Sequence, residues 1–147
     1  MYSLLITIHG ILRWGVLVGG LVAISKSAAG LMYKKEYTAS QNRSHLSFLI
    51  FCHTQLLVGL ILYFISPAVT QAFASGELMK NAEYRFVGVE HIAVMIIAIG
   101  LIQAGRTISK KAVDSASKHR KSLIFFSIGL LLILSRIPWH KALLPGM

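Results

Sequence analysis

Apolar residues along the chain are gathered into four blocks that short polar segments separate. The blocks cover residues 3–24, 46–65, 86–104 and 122–137. Each is near the roughly 20 residues that a helix needs to cross a hydrocarbon core about 30 Å thick. Between the second and third blocks, Ala68 to Met79 mixes apolar and polar residues and predicts a short surface helix. The pattern predicts an all-α integral membrane protein: one transmembrane domain, residues 1–147, folded as an antiparallel four-helix bundle.

The composition agrees with a membrane environment. Hydrophobic residues make up 55% of the 147 residues and charged residues 14%, with a mean hydropathy of +0.67. Soluble domains contain about 25% charged residues, so lipid must cover part of this apolar surface. The first block begins near Met1 without a basic segment before it, which favours a retained span over a signal peptide. The single cysteine, Cys52, excludes an intrachain disulfide, a Cys-ligated iron–sulfur cluster and covalent haem attachment through two cysteines.

Basic residues are concentrated in two of the three connections between blocks. The first and third connections hold ten of the fifteen: Lys26, Lys34, Lys35, Arg43, Arg106, Lys110, Lys111, Lys118, Arg120 and Lys121. Positively charged loops stay in the cytoplasm, so we expect both termini on the non-cytoplasmic side of a bacterial inner membrane. Topology and attraction to anionic membrane lipid account for the formal charge of +10, and no nucleic-acid partner is expected.

Several ionisable side chains lie inside the predicted spans, where such groups usually face the bundle interior. At about 1.5 Å per residue, His9 lies roughly 9 Å and His91 roughly 7 Å below the outer surface. Spans one and three are diagonal in an antiparallel bundle, so these two imidazoles are predicted to face each other. His45 and His119 fall at the cytoplasmic edge, where we expect them to be solvated and to tolerate replacement.

Two neutral imidazoles on facing helices are suited to coordinate the iron of haem b. We predict His9 and His91 as axial ligands, with His53 as the alternative ligand. Arg13 and Arg136 are predicted to pair with the anionic propionates.

Each of these features also has a simpler structural interpretation. A membrane histidine more often bonds a backbone carbonyl or a facing side chain than a metal. Gly10, Gly15 and Gly19 leave room for a porphyrin, but the spacing of Gly15 and Gly19 also suits close helix packing. Glu90 would then only neutralise a nearby arginine.

Three short segments carry a resemblance to a known group of proteins: His9-Gly-Ile-Leu-Arg13-Trp14, His53-Thr-Gln55 followed by Gly59, and Glu90-His91. They resemble the small four-helix b-type cytochromes and related haem-handling bundles, including the cytochrome b561 and copper-resistance-D-like groups. The number of predicted spans agrees with these proteins over the whole chain, whereas individual residues agree at only a few positions. It implies haem b held by histidine pairs, with electron transfer to or from a quinone or a partner protein. Two-haem members need two such pairs, whereas one pair lies at equal depth here.

The sequence therefore favours electron transfer by a b-type cytochrome, or by the haem-binding subunit of a larger membrane complex, over a stand-alone enzyme. One alternative is a haem-free site for quinone or another small molecule, where His9, Arg13, Glu90 and His91 bond a carbonyl and relay protons. Another is a structural accessory subunit whose polar residues only hold the helices together. The sequence also leaves open assembly with further copies of the chain and binding to a redox partner protein.

Overall fold

The computed structural model describes residues 1–141, and every regular element in that range is helical. The helices are α1 (Tyr2–Met32), α2 (Ala39–Ile65), α3 (Pro67–Ala74), α4 (Ala82–Arg85), α5 (His91–Lys111) and α6 (Ser115–Ser135). A π-helical turn, Phe86–Glu90, joins α4 to α5. The predicted all-α class is confirmed for the described residues.

Among residues 1–141, three helices are long and apolar enough to cross a membrane: Tyr2–Met32, Ala39–Ile65 and the continuous helix Ala82–Lys111. Only 17–22% of the residues in their most apolar stretches are buried within the protein. Large apolar side chains point outward instead, with Leu57 60% and Phe64 77% exposed. Such a surface is suited to lipid contact, and these helices indicate a membrane-associated protein.

The uncharged part of α6 is slightly shorter than the predicted block of residues 122–137. The first two turns of α6 carry Lys118, Arg120 and Lys121, and residues 122–135 continue the helix without a charged side chain. At about 1.5 Å per residue, that segment is roughly 21 Å long, shorter than a core about 30 Å thick. The fourth span therefore stays a prediction.

The four long helices pack side by side around an apolar core. α1 lies against α2 and α6, and α5 also lies against α2 and α6. Phe48, Ile102 and Phe126 are fully buried at the centre. The rings of Phe48 and Phe126 meet edge to face with centroids 5.4 Å apart, a favourable arrangement for aromatic pairs. This packing leaves α1 and α5 facing each other across the core.

The predicted surface helix is present as α3, but it ends earlier than expected. The Ser66 hydroxyl accepts a hydrogen bond from the Val69 N–H at 3.4 Å, and Pro67 occupies the first turn. Both are favourable at a helix N-terminus. The helix stops before Gly76, whose φ of 72° is left-handed and suits glycine.

Candidate functional site

A cavity of about 270 Å3 lies between α1, α2, α5, the end of α6 and the segment that follows α6. Its walls are mostly apolar, with Leu56, Met95, Ile99 and Ile133 among the lining residues. Eight polar side chains also line it: Tyr2, His9, Arg13, Gln55, Tyr63, Ser66, His91 and Lys141. An apolar cavity with a few converging polar groups is the usual form of a small-molecule site.

His9 and His91 lie together in this cavity, as the depth argument predicted. Their ring centroids are 6.4 Å apart and the ring planes are inclined by 66°. His91 Nδ1 is 2.7 Å from the carbonyl oxygen of Arg136. A carbonyl can only accept, so Nδ1 carries the proton and Nε2 of His91 is left as the basic nitrogen.

The position of His91 depends on the π-helical turn immediately before it. Tyr63 donates a hydrogen bond from its hydroxyl to the carbonyl of Gly88 within that turn, at 2.7 Å. Gly88 is closely approached by Leu78, whose Cδ1 lies 2.6 Å from where a Cβ would be. A π-turn adds one residue to a helical turn, so it rotates the following residue relative to an α-helix, and such turns are frequent at functional sites. Apolar periodicity carries no signal for this turn.

Helix α2 supplies the groups that surround His9. Gln55 donates from Nε2 to the backbone carbonyl of His9 at 3.0 Å. A Cβ on Gly59 would lie 3.0 Å from His9 Cε1, so the imidazole ring packs directly against the backbone of α2 at this glycine. Two atoms here, His9 Nδ1 and Gln55 Oε1, are buried and have no hydrogen-bond partner among the described residues. Buried polar atoms are nearly always bonded, so this pair marks a place where a ligand would bind.

The glycines of α1 have a different role from Gly59. The Phe51 ring lies 2.6 Å from the Cβ position of Gly15, and the Phe48 backbone lies 3.5 Å from that of Gly19. Gly10 has nothing within 4 Å. None of the three is among the residues that line the cavity. The structure therefore favours close packing of α1 on α2 over clearance for a porphyrin.

Of the two arginines predicted to hold propionates, only Arg13 lines the cavity. The Arg136 Nε lies 3.6 Å from Glu90 Oε2, and the other carboxylate oxygen accepts from Arg85 Nε at 2.7 Å. Glu90 thus pairs with two guanidinium groups outside the cavity and balances one of their two charges, as the simpler interpretation of that residue anticipated. Lys141 is the second cation in the cavity lining.

His53, the alternative ligand, lies outside the cavity. It is on an exposed face of α2, where its Nε2–H donates to Gln103 Oε1 at 3.0 Å. The same glutamine donates to Thr107 Oγ1 at 3.2 Å. The adjacent Cys52 is fully buried and does line the cavity, because neighbouring helix positions point about 100° apart.

His45 and His119 are fully buried, so the expectation that they are solvated is wrong. His45 lies 3.0 Å from Ser27 Oγ through Nε2 and 2.9 Å from the Tyr37 hydroxyl through Nδ1. Burial raises the pKa of Tyr37, an effect that the charge of Arg106 partly opposes. The hydroxyl therefore stays protonated at neutral pH and can donate to His45.

His119 is bonded at both ring nitrogens. Gln41 Nε2 donates to Nδ1 at 3.0 Å, and Nε2–H of the ring donates to the Lys35 carbonyl at 2.8 Å. The ring occupies the space where a Cβ on Gly30 would be. The last turns of α1 and the first turns of α2 extend well beyond the apolar blocks and enclose these histidines. The apolar pattern alone could not predict these helical extensions.

Among residues 1–141, no group of three or more His, Cys, Asp or Glu side chains is placed to hold a metal ion. The candidate site has two imidazoles, which is the number of protein ligands that a six-coordinate haem iron takes. Comparisons with protein-family models, curated proteins and solved structures found no match.

Proposed function

We propose that this chain crosses a bacterial inner membrane four times as an antiparallel bundle, with both termini on the non-cytoplasmic side. It binds one haem b between His9 and His91 and transfers single electrons, either as a small cytochrome or as the haem-binding subunit of a larger membrane complex. The observation that carries this proposal is the pair of imidazoles 6.4 Å apart in an apolar cavity.

The separation of the two rings matches that of two ligands on one metal. A metal–imidazole bond of about 2.0–2.1 Å, with the nitrogen ~1.1 Å from the ring centroid, places coaxial centroids ~6.3 Å apart. The observed separation of 6.4 Å is close to this value. Each ring can rotate about its own metal–nitrogen bond, so the inclination of 66° is compatible with this arrangement.

The hydrogen bond from His91 to the Arg136 carbonyl supports the same assignment. Histidine ligands usually donate their other ring N–H to a carbonyl or carboxylate, which fixes the tautomer and raises the basicity of the ligating nitrogen. Arg136 therefore acts on His91 through its backbone, while its guanidinium is held by Glu90.

The charges in the cavity lining suit the two propionates of haem b. Arg13 and Lys141 are cationic, and none of the residues in the lining is acidic. When bound, haem supplies a reversible one-electron couple, and its potential depends on the axial ligands, burial and nearby charge. The apolar walls exclude water, and Arg13 places positive charge where an added electron is stabilised.

A second candidate, a haem-free quinone site, is favoured by the unpartnered atoms and by the size of the cavity. Its volume of about 270 Å3 is just below the range of about 300–1,000 Å3 typical of small-molecule sites. His9 Nδ1 could donate to a quinone carbonyl, and Gln55 Oε1 could accept from a quinol hydroxyl. In this case the imidazoles carry protons to and from the bound ring.

Haem titration of the purified protein tests the ligand assignment. Wild type should give a low-spin bis-histidine spectrum, and both His9→Ala and His91→Ala should lose it. His53→Ala is the matched control, because it removes a hydrogen-bonded histidine that also lies on a long apolar helix but outside the cavity. Loss of the low-spin spectrum in His53→Ala alone would move the site to His53. A protein that binds no haem, but that an added soluble quinone protects against heat, would establish the second candidate.

The orientation is tested separately with a reporter that is active only in the cytoplasm. It should be active when inserted near Lys35 or Lys111 and inactive when fused after Met147. Activity of the C-terminal fusion would contradict the orientation.

A further inference from the structure

A second groove, of about 390 Å3, lies between α1 and α2 on the outer surface of the protein. It is separate from the histidine cavity, since none of its lining residues is shared with that cavity. One end is apolar and includes Val18, Val22 and Phe51. The other end is polar and includes Lys26, Ser40 and Arg43.

The polar end presents two cations with no acidic side chain beside them in the groove. Lys26 Nζ donates to Ser40 Oγ at 3.1 Å, which holds the ammonium group at the junction of the two helices. Arg43 is exposed and lies three residues after Ser40, so both project from the same side of α2. An ammonium, a guanidinium and a hydroxyl together match the oxygens of a phosphate.

The apolar end continues directly from this cationic end. Val18 and Val22 precede Lys26 at intervals of four residues, so the three side chains follow one face of α1. Val18 is 59% and Val22 44% exposed, although both are apolar. Phe51 lies across Gly15 and forms the facing wall, because the glycine has no side chain to displace the ring.

We infer that this groove binds one anionic phospholipid, with the phosphate between Lys26 and Arg43 and an acyl chain along Val22 and Val18. From Lys26 to Val18 the helix rises ~12 Å, which is enough to guide the upper part of an acyl chain. Basic pockets between membrane helices on the cytoplasmic side commonly bind anionic lipid. The inference rests on the proposed membrane insertion but not on haem binding.

Lipid binding can be measured on the full-length protein in neutral detergent by native mass spectrometry and thermal melting. Phosphatidylglycerol should be retained and should raise the melting temperature more than phosphatidylcholine with the same acyl chains. The double variant Lys26→Gln, Arg43→Gln should lower the affinity for phosphatidylglycerol at least about tenfold. Lys34→Gln, Lys35→Gln is the matched control, since it removes the same charge from the same connection outside the groove, and its affinity should be close to wild type.

Val22→Trp tests the apolar end with both cations intact, because the indole would occupy the path of the acyl chain. It should weaken retention of phosphatidylglycerol without changing the net charge. Equal retention of the two lipids by wild type, or an equal loss in the control double variant, would overturn the inference. Protection by glycerol phosphate as strong as that by the intact lipid would also overturn it, because no chain would then be bound. The haem spectrum should be the same in all these variants, so failure here is distinct from failure of the haem proposal.

Discussion

His119→Ala should destabilise the protein strongly, although this residue is remote from the histidine cavity. The ring is fully buried and bonded to Gln41 and to the Lys35 carbonyl. Alanine leaves the buried Gln41 amide without its partner, at a cost of about 1–3 kcal/mol, and also removes the part-buried bond to the Lys35 carbonyl. The lost ring also leaves a cavity, so we expect a total loss of about 3–5 kcal/mol in the free energy of unfolding.

Thermal unfolding followed by far-UV circular dichroism in detergent measures this loss. At about 2–4 °C per kcal/mol for a chain of this size, the melting temperature should fall by roughly 6–20 °C. His140→Ala is the control, because His140 is exposed and its removal should change stability by less than about 0.5 kcal/mol. Haem binding by the folded variant should be unchanged. A His119→Ala protein that melts within about 2 °C of wild type would contradict the stabilising role of the hydrogen bonds that His119 makes with Gln41 and with the Lys35 carbonyl.

Two further variants test the histidine cavity itself. Gly59→Val should displace the His9 ring, since even a Cβ would lie 3.0 Å from its Cε1, and should abolish the low-spin spectrum while helix content is kept. Gly100→Val, at a position with nothing within 4 Å, is the control and should retain the spectrum; equal spectra in the two variants would contradict the contact. Arg13→Ala should keep both ligands but lower the reduction potential, because a nearby positive charge favours the ferrous state. A potentiometric titration with an unchanged or higher midpoint would place Arg13 away from the haem.

The sequence predicted the features that depend on apolar runs and on depth. Long apolar stretches specify helices whatever their neighbours are, so the main helices were predictable, and the second block ends at residue 65, where α2 also ends. Counting residues from the outer ends of their blocks predicted that His9 and His91 lie at similar depth and face each other. That count works because helical rise is constant and because these helices pack side by side.

The features that depend on packing between polar segments could not be predicted. α1 continues to Met32 and α2 begins at Ala39. Polar residues that the apolar pattern places in a loop are therefore helical, and they surround the buried rings of His45 and His119. The π-helical turn before His91 has no periodic signature. The positive charge of Arg136 suits a propionate, but its pairing with Glu90 depends on where that carboxylate points, which the sequence does not show.

The most direct test of the haem proposal is the absorption spectrum of the purified protein, produced with ample haem and recorded before and after reduction with dithionite. We expect a red protein whose reduced form shows the sharp α and β bands of low-spin bis-histidine haem b, at one haem per chain. A well-folded protein that is colourless under these conditions would contradict the proposal and leave the quinone site as the function to pursue.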